Sequence, residues 1–133
     1  MLKRDFIMVQ IEEISKMIVQ LVFDRNDGND GAKQQDSQKA QELIDTIYRT
    51  LKTNIGFILS HSPEEIREEL NHDDSCGLER MELAAKTMIE QSYYCDKDSE
   101  NLRRKACEII EYVQANDSTF SLERMQILNE YKK

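Results

Sequence analysis

The chain has 133 residues, 39% of them hydrophobic and 33% charged, with one Pro and four Gly. Such a composition is too apolar for a disordered chain and too poor in turn residues for a many-stranded sheet, yet long enough to bury a core. A formal net charge of −8 repels phosphate backbones, which argues against a nucleic-acid partner. Val, Ile and Thr never alternate with polar residues over a strand-length run, whereas helical spacing recurs throughout. The expectation is an all-α protein: one domain over residues 1–133, folded as an antiparallel bundle of five to six helices.

The first helix is predicted from Lys3 to Asp24. Ile7, Ile11, Ile14, Ile18 and Leu21 recur in steps of four and three, a heptad stripe widened by Phe6, Met17 and Val22. The spacing fits two uses: a core-facing helix of a bundle, or a self-pairing coiled coil. Met8, Val9, Val19 and Phe23 lie off the stripe, so the helix is apolar on more than one side. That pattern predicts a homodimer with Ile7, Ile11, Ile14, Ile18 and Leu21 at its interface. Glu12, Glu13 and Lys16 interrupt the apolar run, so no signal peptide is expected, and no stretch approaches the ~20 apolar residues of a membrane span.

Asp24 to Gly31 is built almost entirely of turn-favouring residues. A calcium loop starting at Asn26 would place Ser37 where the bidentate Glu belongs, and one starting at Asp24 would place Asn29 where Gly is required. The segment therefore reads as a solvated connector. A second helix is predicted from Gln35 to Asn54, burying Ala40, Leu43, Ile44, Ile47, Leu51 and Ile55, with Gly56 as its end or a bend. Ser62-Pro63-Glu64-Glu65 then marks a helix start, with Ser as N-cap, Pro at the first helical position and Glu three residues after the cap.

Leu78 to Val113 is expected to form a helical hairpin turning at Asp96-Lys97-Asp98-Ser99. Its small residues Ala84, Ala85 and Ala106 let two helix backbones approach closely. Within its second helix, Arg103-Arg104-Lys105 is the only basic cluster, and Glu100 and Glu108 flank Arg104 at helical ion-pair spacing, so a solvated face is expected. Tyr93, Tyr94 and Tyr112 read as packing residues or as a binding surface. A last helix starts at the Ser121 cap, with Leu122, Met125 and Leu128 inward and a Phe120–Met125 hydrophobic staple.

For chemistry the sequence offers little. His61, His72 and Cys76 are potential ligands or, for the thiol, a nucleophile, but no pair has zinc-site spacing. Glu69 and His72 make a single Glu-x-x-His, where a di-iron bundle needs two. No phosphate loop, nucleophile elbow or metalloprotease motif is present in the sequence, so neither enzyme activity nor a cofactor is expected. The three cysteines Cys76, Cys95 and Cys107 lack disulfide spacing; free thiols predict a reducing, cytoplasmic setting.

The hairpin, together with the Thr119-Phe120-Ser121-Leu122-Glu123-Arg124 lead into the last helix, resembles tetratricopeptide-like helical hairpins. The whole chain, opening Met1-Leu2-Lys3-Arg4-Asp5-Phe6-Ile7, is similar to small uncharacterised bacterial proteins of that type. About one repeat of ~34 residues is covered, without the consensus Trp, Leu-Gly pair or terminal Pro. The resemblance implies a TPR-like bundle that binds a protein or peptide. The alternative is a metal- or thiol-dependent enzyme using His61, His72 and Cys76.

Overall fold

A computed structural model describes residues 2–27, 33–95 and 97–132. The described residues are all-helical, with no strand among them. In chain order the helices are α1 (Leu2–Asp27), α2 (Lys33–Leu51), α3 (Ile55–Ser60), α4 (Pro63–Leu70), α5 (Gly77–Ser92), α6 (Ser99–Asn116) and α7 (Leu122–Tyr131). The seventh, beyond the five or six expected, is α3. Lys52 adopts a left-handed φ of 60° and ends α2 early. Asn54 then starts a new helix, its Oδ1 accepting from the Phe57 N–H at 2.9 Å. Gly56 therefore lies inside a helix rather than at the end of one.

α1 runs three residues further than its spacing predicts, to Asp27; the rest of the expected connector, including any calcium-loop geometry, lies outside the described residues. The α4 start forms as the sequence dictates. Ser62 Oγ accepts from the Glu65 N–H at 3.2 Å, and the Glu65 carboxylate accepts from the Ser62 N–H at 3.0 Å. The Ser62 N–H and hydroxyl, both donating to that carboxylate, hold Glu65 below the usual range for its type.

α5 is the central element. It packs along α6 as an antiparallel hairpin and also against α1, α2 and α4. Ala84 and Ala85 of α5 and Ala106 of α6 are fully buried in the shared core. Around this pair α1 contributes Ile14 and Leu21, α2 contributes Ile44, Ile47 and Leu51, and the short helices contribute Ile58, Ile66 and Leu70, all without exposed surface. Burial on that scale is the main force closing the bundle. At the start of α5, Gly77 lies so close to α4 that an added Cβ would come within 2.5 Å of the Arg67 carbonyl oxygen.

α7 packs on α6, but not as its hydrophobic pattern suggests. Phe120 and Leu122 remain 68% and 64% exposed, so the staple does not close, whereas Arg124 is buried. No helix among the described residues is long and apolar enough to cross a membrane.

Candidate functional site

α1 separates the molecule's two kinds of apolar surface. Ile7, Ile14, Ile18 and Leu21 are buried by the chain's own helices, and Ile11 packs partly buried against the same core. Of the two uses its spacing allowed, the stripe serves the core. These five residues are therefore not available as the dimer interface expected of them, because α2 and α5 cover that side of α1. What remains outward is Phe6, which the pattern places with the stripe, and the set lying off it. Met8, Val9, Val19 and Phe23 are 54–66% exposed, interleaved with Glu12 and Lys16, which pair with each other at 3.4 Å. Large apolar side chains grouped along one exposed helix face are what a docking surface requires.

The histidine and cysteine side chains are dispersed among separate tasks. His61 stacks on Phe57 at 4.0 Å between ring centroids, and its Nδ1 lies 2.9 Å from the Phe57 carbonyl oxygen. His72 bonds through Nε2 to the Leu51 carbonyl at 3.1 Å and has a left-handed φ of 51°. Burial, then the nearby Arg80 charge, pushes its pKa down. Cys76 precedes α5, and burial followed by Glu79 raises its thiol to about 11, which leaves little nucleophilic thiolate at neutral pH. Among the described residues no three His, Cys, Asp or Glu side chains are placed to hold a metal ion. Neither Cys76, Cys95 nor Cys107 is in a disulfide.

Two buried arginines were not foreseen. Arg80 is 1% exposed and reaches in three directions. Its Nε donates to Gln10 of α1 at 3.0 Å, Nη1 to the Leu70 carbonyl of α4 at 3.0 Å, and both Nη atoms to Asp74 at 2.7 and 2.5 Å. The paired guanidinium holds the Asp74 carboxyl far below the usual range. Arg124 similarly binds Glu82 of α5 at 2.8 Å, Asp117 at 2.7 Å and Gln114 of α6 at 3.1 Å. A sequence signal was present for the first. Arg80 falls on the apolar stripe of α5, four residues before Ala84, with an Asp in the turn just upstream.

The basic cluster of α6 also divides differently from expectation. Arg104 bonds Asn101, while Lys105 takes the ion pair with Glu108 at 3.0 Å. Arg103 turns toward Tyr93 and Tyr131, its Cζ 4.8 and 5.5 Å from their ring centroids, and donates to Ser92 Oγ at 2.8 Å. Arg25 covers the Tyr93 ring at 3.9 Å and bonds Glu90 at 2.9 Å, while the two tyrosine hydroxyls meet at 2.5 Å. Beside this corner, α6 and α7 border a groove of about 850 Å³ lined by Cys107, Glu111 and Lys132 among others. Burial raises the Cys107 thiol as well. The corner ties α1, α5, α6 and α7 together through cation–π and hydrogen-bond contacts, and its tyrosines are thus packing residues first.

Compared with known protein families, curated proteins and solved structures, the chain finds no match.

Proposed function

We propose that this protein is a small helical interaction module that acts by docking other protein surfaces on the outer face of α1, self-association included. The observation that carries the reading is the exposure of Met8, Val9, Val19 and Phe23 on a helix whose opposite face is already buried. A helix apolar on both sides has one side more than its own fold consumes. The resemblance of Leu78–Val113 to TPR-like hairpins of small bacterial proteins supports the same reading, as does the free state of the three thiols for a cytoplasmic setting.

The test is a paired substitution on the outer face, Val19→Asp with Phe23→Asp. Helix content and thermal stability should stay near the parent values, since both side chains point to solvent. Association should be lost in light scattering and in cross-linking within the native host. Persistence of every association in that variant would refute the reading.

A further inference from the structure

The geometry points to a second copy of this chain, docked antiparallel, as the occupant of the α1 outer face. The inference rests on the interaction reading above and adds the partner and its direction. Val9, Glu12, Lys16, Val19 and Phe23 follow one another in steps of three, four, three and four, which places them on one nearly straight stripe of the helix. All are outward: the three apolar side chains are at least 54% exposed, and the Glu12 and Lys16 side chains at least 69%.

The central part of that stripe reads the same in both directions, with its charge inverted. A two-fold axis crossing α1 at the level of residue 14 sets Val9 opposite Val19 of the second copy, and Glu12 opposite Lys16. The pairings are self-complementary, as an isologous interface requires. A parallel arrangement would instead set Glu12 against Glu12 and Lys16 against Lys16. In the antiparallel pair each Lys16 lies between its own Glu12, already 3.4 Å away, and that of the other copy. The four charges then alternate around the axis.

Exposed ion pairs contribute little affinity, so Val9, Val19 and the flanking Met8 and Phe23 supply the attraction, and the charges supply the direction. A single helix-on-helix contact is at the small end of specific interfaces, and a dissociation constant on the order of micromolar is expected.

Sedimentation equilibrium of the full chain, with charge-reversed variants, tests the assignment. The parent should dimerise. Glu12→Lys and Lys16→Glu should each weaken the dimer about tenfold or more, because each places like charges across the axis. The double swap E12K/K16E keeps the parent's net charge and should restore dimerisation. Glu13→Lys, which changes net charge as much as E12K but lies off the stripe, should leave it unchanged. A monomeric parent overturns the proposal. So does a dimer that ignores the single reversals or is not restored by the swap. If V19D/F23D still abolishes association in those cases, the interaction reading stands and only the antiparallel second copy is lost.

Discussion

Arg80 and Arg124 use the same device at two depths. Each is in the first turn of a helix and reaches back to an aspartate in the turn before it, Asp74 for α5 and Asp117 for α7. Arg80 also spans to α1 and α4, and its side chain and that of Asp74 are nearly sealed from water, at 1% and 7% exposure. Arg124 lies against Asp117, which keeps 31% of its side-chain surface, and it fixes one terminal helix. A buried charge can thus define the centre of a bundle or clamp an element onto its edge, and here the depth of its aspartate partner, rather than the number of helices joined, separates the two.

Breaking the deeper pair should have the largest effect. Arg80→Met leaves the Asp74 carboxylate buried without its partner, a loss of about 3–5 kcal/mol. Urea unfolding should show the whole bundle weakened, because α1, α4 and α5 share the guanidinium. Acid should act on the same bond. Asp74 is depressed when folded, so its contribution is fully present above the unfolded carboxylate value of ~4 and declines as pH falls below it toward the folded value. In Asp74→Asn that part of the acid dependence should disappear. Urea midpoints of parent and variant would then converge as pH is lowered; a constant gap would show that the carboxylate's charge is not what matters.

Arg124→Met should cost less, about 1–3 kcal/mol, since the groups it abandons can reach water. Its effect should also be local. Hydrogen exchange should accelerate in residues 122–131 while α5 and α6 amides keep their protection. Equal loss of protection throughout would erase the proposed distinction between a central and a peripheral charge.

Why one level of this structure was legible and another was not follows from the kind of signal each leaves. Ser62-Pro63-Glu64-Glu65 encodes its helix start locally, and the Ile14–Leu21 stripe encodes burial through periodicity; both form as read. The α3 break depends on Lys52 accepting a left-handed conformation that local propensity disfavours, with the Lys52 and Thr53 N–H groups capping α2 on the Arg49 and Tyr48 carbonyls. On α1 the spacing leaves two uses open. Periodicity identified its apolar stripe, but only the positions of α2 and α5 decide whether that stripe faces the chain's own core or another molecule. Met8, Val9, Val19 and Phe23 are outward and are the residues the stripe does not explain, whereas Phe6, counted with the stripe, is outward too. Arg124 left the faintest trace, being one cation among many on a short polar helix.

The smallest expected effect concerns the turns rather than the arginines. The turn holding Asp74 contains two residues of left-handed φ, His72 at 51° and Ser75 at 61°, whereas Asp117 and Ser121 have φ of −102° and −127°. A non-glycine residue held there costs about 1–2 kcal/mol, and glycine removes most of that while adding entropy to the unfolded chain. Ser75 is exposed, and its backbone N–H to the Asn71 carbonyl at 3.0 Å survives substitution. Ser75→Gly should therefore stabilise the protein slightly, by about 0.5 kcal/mol. A gain in the urea midpoint, with the acid dependence from Asp74 unchanged, would show that the Arg80 pair holds a strained turn in place. A loss would mean that the turn is held by Ser75 itself, and that the deeper arginine works against no more strain than the outer one.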